Sequence, residues 1–224
     1  MEKHIVKIKS ISPVTHDVNS YVVEKPEGYD FIPGQATEVS INHDEWKDET
    51  RPFTFTNLPE DDYLEFTIKS YTDHKGVTNK LLDLKAGDEF IIREVFGAIN
   101  YENEGVFIAG GAGITPFVSI FRDLNKKDEL GKNKLIFGNK TSKDIIYGGE
   151  FRNMLGENFI NILSEEEKKG FKHGFVDEEL LKQNNVDKAR NVYLCGPPPM
   201  MDKVQELFEK FEIAEERIIT EDLE

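Results

Sequence analysis

The stretch Val106-Phe107-Ile108-Ala109-Gly110-Gly111-Ala112-Gly113-Ile114-Thr115-Pro116-Phe117 constrains this chain more than any other. An apolar run ends in three glycines within four positions, and Thr-Pro then opens a segment with helical periodicity. Physically this is a buried strand, a tight turn free of side chains, and a helix with Pro116 in its first turn. Proline suits that place because the first helical amides lack intrahelical partners anyway. Backbone amides and the positive end of the helix dipole converge on one spot, a natural seat for a pyrophosphate. The competing reading is an ordinary strand-to-helix turn that is rich in glycine, and the motif alone does not separate the two.

Two different kinds of chain flank this stretch. Before it, residues 4–12, Val18 to Glu24, Ala36 to Ile41, Arg51 to Thr56, Tyr63 to Lys69 and Glu89 to Arg93 read as strands, several with clear apolar/polar alternation. Thr78 to Leu84 reads as a short helix. Closely spaced strands without long helices predict an antiparallel β-barrel or sandwich. From about residue 101 the pattern changes to strands at Gly105–Ala109, Lys134–Phe137, Asn158–Leu163, Asn191–Cys195 and Arg217–Thr220. Helical segments lie near Pro116–Leu124, Glu150–Leu155, Asp177–Gln183 and Pro199–Phe211. Such alternation predicts an α/β doubly wound parallel sheet. The expected division is therefore 1–100 and 101–224.

Composition removes several functions. A net charge of -15 opposes non-specific nucleic-acid binding. No apolar run approaches the ~20 residues that span a bilayer. The first residues, Met1-Glu2-Lys3-His4-Ile5, lack the apolar core of a signal peptide, so a cytoplasmic protein is expected. One cysteine, Cys195, leaves no internal disulfide and no cysteine-ligated iron–sulfur cluster. The five His show no metal-site spacing, so no metal is expected.

Three further clusters carry chemistry. Arg51-Pro52-Phe53-Thr54 offers a strand-start Arg for a phosphate, an aromatic and a hydroxyl for a flat heteroaromatic ring, or simply a barrel strand with Phe in the core. Gly76-Val77-Thr78-Asn79 places a cap hydroxyl, Thr78, and amides at a helix start: a second phosphate end, or a plain N-cap. Cys195-Gly196-Pro197-Pro198-Pro199-Met200 leaves a strand by a rigid loop at the carboxyl edge of the sheet, where open α/β sheets bind ligands. A lone Cys there is otherwise a small buried hydrophobe.

In this order and spacing, the four motifs resemble those of the ferredoxin–NADP reductase family, and most of all the reductase components of bacterial ring-hydroxylating oxygenases. That family's Arg-x-Tyr-Ser corresponds to Arg51-Pro52-Phe53-Thr54, and its Gly-x-x-Ser to Gly76-Val77-Thr78-Asn79. Its Gly-Gly-x-Gly-Ile-Thr-Pro and Cys-Gly-Pro-Pro-x-Met are matched in full by Gly110–Pro116 and Cys195–Met200. The resemblance implies a flavin-binding barrel followed by a pyridine-nucleotide domain. It implies Arg51 on the flavin pyrophosphate, Pro52 and Phe53 against the isoalloxazine, and Thr54 near flavin N5. Lys69 and Gly76, Val77, Thr78 and Asn79 would complete the flavin site. Gly110, Gly111, Ala112, Gly113 and Pro116 would cradle the dinucleotide. Thr115, Cys195, Gly196, Pro197 and Met200 would border the nicotinamide. Thr54, Cys195 and Glu221 are the implied catalytic set. Phe53 lacks the phenol hydroxyl of the family Tyr, and Thr54 adds a methyl to the family Ser. The iron–sulfur domain often fused to such reductases has no cysteines here, and the terminal aromatic of plant-type members is absent.

FAD is expected over FMN, with NADH or NADPH as cosubstrate. Ser164-Glu165 stand where NADPH-using relatives carry Ser-Arg, and a carboxylate there favours NADH; Lys168, Lys169, Lys172 and Asn139-Lys140-Thr141 argue the other way. The expected function is a flavoprotein that passes electrons to a separate ferredoxin, flavodoxin or oxygenase. Lys69, Lys75 and Lys80 are a candidate basic patch for an acidic partner. The alternatives are a flavin reductase that takes diffusible flavin as substrate, and a non-catalytic nucleotide-binding module.

Overall fold

Along His4–Pro13, alternation turns Val6 and Ile8 inward and Lys7 and Lys9 outward, which makes one half-buried strand of a curved sheet. In this computed structural model, which describes residues 2–71 and 76–221, that strand is β1. It is joined by β2 (Val18–Glu24), β3 (Ala36–Ile41), β4 (Arg51–Thr54), β5 (Tyr63–Lys69) and, after the short helix α1 (Val77–Lys80), β6 (Glu89–Phe96). The order is β4-β3-β6-β1-β2-β5, all antiparallel. One antiparallel bridge between Phe55 and Phe66 joins the two edges and closes the barrel. Tyr21, Phe55, Phe66 and Phe90 fill its interior.

The second sheet comprises β7 (Gly105–Gly110), β8 (Lys134–Asn139), β9 (Phe159–Leu163), β10 (Lys172–His173), β11 (Asn191–Cys195) and β12 (Ile218–Thr220). Four helices accompany it: α2 (Thr115–Lys126), α3 (Gly148–Leu155), α4 (Glu178–Gln183) and α5 (Pro198–Lys210). Its order is β10-β9-β8-β7-β11-β12, all parallel. The unbroken apolar run of β7 follows from burial on both faces. Phe107 and Ala109 pack with Phe117, Phe121 and Phe151 of α2 and α3, while Val106 and Ile108 pack with Leu181, Val204 and Phe208 of α4 and α5. Tyr193 of β11 stacks on Phe107 with ring centroids 4.0 Å apart, and its hydroxyl donates to the Asn103 carbonyl at 2.7 Å. That bond pins the segment between the two sheets.

The winding matters for function. The chain runs outward from β7 to β10, then crosses back to lay β11 on the other side of β7. The loops leaving β7 and β11 therefore diverge from adjacent carboxyl ends, which opens a crevice there. Several bounds differ from expectation by a few residues, β6 running on to Phe96 and β4 stopping at Thr54 among them, and two differences bear on the site. β10 has two exposed residues and no readable pattern, yet it pairs with β9 through Lys172 and His173. α1 begins one residue early, at Val77, and a 3-10 turn over Leu81–Asp83 continues it. No helix among the described residues is long and apolar enough to cross a membrane.

Candidate functional site

A cavity of about 1240 Å³ lies between the barrel and the carboxyl edge of the parallel sheet. Its sheet-side wall is rich in glycine. Gly111 adopts φ +50, a left-handed conformation that glycine takes without strain, and nothing stands within 4 Å of where its Cβ would be. A 3-10 turn over Gly111–Ile114 leads into α2, with Pro116 in the first turn. Gly113 is needed for a different reason: a Cβ there would sit 2.4 Å from the Cys195 carbonyl oxygen. The two diverging loops thus touch, main chain against main chain. Gly110, Ala112, Thr115 and Pro116 also face the cavity, as do Gly196, Pro197 and Met200 from the β11 loop. Thr115 Oγ1 donates to the Ala112 carbonyl at 3.1 Å, so its hydroxyl has only acceptor capacity left for a ligand.

Cys195 lines the same cavity and is buried. Burial, with the Glu221 carboxylate adding to it, pushes its thiol up to about 12. It is a neutral thiol at physiological pH, unsuited to nucleophilic attack. Glu221 reaches across from the parallel sheet: its Oε1 accepts from the Ala98 amide at 2.8 Å, just beyond β6.

The barrel wall is made of side chains. Pro52, Phe53 and Thr54 of β4 all line it, and Phe53 also packs on the barrel core. Arg51 does not reach the cavity. Its side chain is half exposed, donates to the Thr50 carbonyl at 2.6 Å and lies 3.9 Å from Glu49. Lys69 lines the wall, but its ammonium is 2.9 Å from Asp17. Burial works against the Asp17 charge, and the bonds from Lys69 and Thr15 overcome it to hold that carboxyl below its usual range.

At α1 the expected cap is corrected. The helix starts at Val77, so Gly76 occupies the N-cap with no side-chain bond, and Thr78 stands inside the first turn, facing the cavity. Val77 belongs to the barrel core, and Gly76 and Asn79 are off the cavity wall. Lys75, the middle of the expected basic patch, lies outside the described residues.

At the far end, Ser164 lines the cavity and Glu165 stands behind it, 3.1 Å from Lys140. The two opposed charges there are paired with each other. Asn139, 8% exposed, lines the same end with both side-chain polar atoms lacking a partner. Three rim aromatics were not among the expected site residues: Tyr71, Phe96 and Phe175, the last 77% exposed. Phe175 follows the unreadable β10, and only the folded chain brings the three together. His16, Asp17 and Asp144 also meet, with ligand atoms within 4.8 Å, but Asp17 is committed to Lys69 and Asp144 to Thr141.

This donor set, an open glycine cradle facing a ring-sized shelf with a hydroxyl, fits a dinucleotide and a flavin. Comparison with known proteins agrees. A model of the FAD-binding domain matches residues 3–110, and one of the oxidoreductase NAD-binding domain matches residues 107–206. The ferredoxin NADP+ reductase of Neisseria gonorrhoeae with bound FAD and NADP superposes with a TM-score of 0.84 at 18% identity, over 99% of this chain and 98% of that one. NADH-cytochrome b5 reductase 1 of Eremothecium gossypii is 30% identical over 216 residues, 87% of this chain and 74% of that protein. The chain belongs to the ferredoxin–NADP reductase family. Its two sheets are the family's FAD-binding and NAD-binding domains. Within the family it is also similar to the reductase component of propane 2-monooxygenase of Mycolicibacterium smegmatis, 30% identical over 215 residues, 88% of this chain and 60% of that protein. The chain spans about three fifths of the length of the first curated relatives it matches.

Proposed function

We propose that this family member is a flavin-dependent NAD(P)H oxidoreductase that takes hydride from NADH onto bound FAD and passes electrons to a separate acceptor protein. One observation carries the reading: a single cavity is lined by Thr54 of the barrel strand and by Gly111, Gly113 and Cys195 of the parallel sheet. Bound flavin would supply the redox chemistry, accepting hydride and releasing electrons onward. The chain's residues position and exclude. Phe53 and Pro52 give the ring a shelf, and Thr54 offers its edge a hydroxyl. Gly111 and Gly113 let a pyrophosphate approach main-chain amides at the start of α2. The neutral Cys195 thiol borders the hydride path without charge. The acceptor is a ferredoxin, flavodoxin or oxygenase, in keeping with a relative named as the reductase component of propane 2-monooxygenase.

NADH is the preferred donor, because Glu165 opposes a 2′-phosphate and occupies Lys140. The division at about residue 100 and a cytoplasmic location belong to the same proposal. One observation favours a second reading: with Arg51 turned away from the cavity, flavin would be held weakly enough to exchange as a substrate. Purification separates the two, since a yellow protein with stoichiometric FAD supports the first and a colourless one the second. Anaerobic NADH must then bleach the flavin's visible absorbance. A flavin-loaded protein that NADH leaves unbleached is instead a nucleotide-binding module without catalysis.

A further inference from the structure

Helix α2 carries a polar stripe beside its buried apolar face. Thr115, Ser119, Arg122 and Lys126 recur at helical spacing and so share one face, while Phe117, Val118, Ile120, Phe121 and Leu124 are buried. Thr115 lies on the cavity wall. The three other side chains all reach the barrel. Ser119 Oγ, fully buried, donates to the Asn57 carbonyl at 2.7 Å. Arg122 Nη1 donates to the Thr56 carbonyl at 2.7 Å and to Glu65 at 2.9 Å, and the same guanidinium holds Glu150 of α3 at 2.7 and 3.0 Å. Lys126 pairs with Glu60. Thr56 and Asn57 lie two and three residues beyond Thr54, past Phe55.

One rigid helix therefore bears the nucleotide loop at its start and is bonded, one and two turns later, to the segment that leaves the flavin strand. From Thr115 to Arg122 the helix rises about 10 Å. Apolar packing alone would hold the two halves together, but it is non-directional and lets surfaces slide. Hydrogen bonds to two successive main-chain carbonyls fix a register. The remaining contacts close the ring: Tyr147 lies under the Arg122 guanidinium at 4.8 Å, and its hydroxyl bonds Thr67 at 2.8 Å, itself 3.1 Å from Thr56 Oγ1. Burial disfavours the Arg122 charge, and Glu150 and Glu65 more than offset this, so it stays charged.

We propose that the Ser119–Arg122 stripe is a ruler that sets the offset between the nucleotide loop and the flavin strand, and that Arg122 is a positioning residue for hydride transfer. This rests on the flavin–nicotinamide reading above. The test compares full-length R122M, R122K and S119A with the wild type, all loaded with FAD. In R122M the limiting rate of flavin reduction at saturating NADH falls roughly tenfold or more while the NADH Kd stays within about twofold, because a small misplacement costs rate rather than affinity. R122K restores part of the rate. Independently of activity, hydrogen exchange at Gly111–Thr115 and at Phe55–Asn57 rises together in R122M. A limiting rate within about twofold of wild type in a variant that keeps its flavin, or a rate loss matched by lost NADH affinity without changed exchange, overturns the proposal. If R122M does not fold, S119A decides by the same criteria, since it removes a single hydroxyl. A wild-type protein that NADH does not bleach would sink the proposed function instead, and the exchange experiment would still read the ruler.

Discussion

The two walls of the cleft are built from different material. On the parallel-sheet side, the loops leaving β7 and β11 approach closely, main chain on main chain at Gly113, and four glycines stand on the wall: Gly110, Gly111, Gly113 and Gly196. On the barrel side, Pro52, Phe53 and Thr54 present shape and a hydroxyl from a strand whose backbone is occupied with β3. The first wall is sensitive to an added atom where the two loops meet, at Gly110 and Gly113, whereas at Gly111 the backbone conformation is what favours glycine. The second tolerates exchange of side chains, but each exchange changes the chemistry offered to a ring. This accounts for the full match of the glycine and Cys-Gly-Pro motifs beside the altered flavin motif, where Phe53 and Thr54 replace Tyr and Ser.

The comparison is tested most severely by Gly113→Ala. Its Cβ would press on the Cys195 carbonyl, so we expect a stability loss of about 2–3 kcal/mol in thermal or denaturant unfolding, with NADH binding abolished. An alanine that leaves both intact would show that the loops do not depend on close approach. Thr54→Val is the counterpart on the barrel wall. We expect it to fold and keep flavin, while reduction at saturating NADH slows by about a hundredfold for loss of one oriented hydroxyl. A rate equal to wild type removes Thr54 from the chemistry.

Cys195→Ser tests the seam between the loops. Because the folded thiol is pushed from 9.0 up to about 12, the folded state holds its proton more tightly than the unfolded chain. The associated stability is complete below about pH 9 and is lost as pH rises toward 12. The serine variant should lack this alkaline decline in an unfolding series, and the native thiol should react slowly with iodoacetamide at neutral pH. The smallest effect belongs to Glu165→Lys at the exposed end. It should move the NADPH-to-NADH ratio of kcat/KM by roughly fivefold toward NADPH, the scale of an exposed charge pair. An unchanged ratio would mean that discrimination lies elsewhere, with Asn139 the next residue to replace.

Legibility in the sequence followed the same divide. The β7 and β11 runs and their glycine and proline loops were readable, because burial on both faces and turns without side chains leave strong local patterns. Alternation likewise located the barrel strands. What failed depends on tertiary placement. Arg51 has the right type and position in its motif, yet nothing local says that its side chain turns toward Glu49. Thr78 looked like a cap because a one-residue shift in a four-residue helix leaves no mark. β10 is too short to have a period, and with it Phe175 was lost. The α2 stripe did leave a trace, since Ser119 and Arg122 interrupt an apolar helix, but only the fold identifies the carbonyls they meet.

The barrel closes on a single bridge, Phe55 to Phe66, with the Thr56 amide bonding the Glu65 carbonyl at 2.9 Å beside it. The same few residues are braced from outside by Ser119, Arg122 and Tyr147. Cut free of that brace, the first hundred residues would carry two poorly joined strand edges, which invite pairing between molecules. The flavin-binding half is thus finished by its neighbour: expressed alone it should associate and precipitate, and it should stay dispersed only when the other half is present.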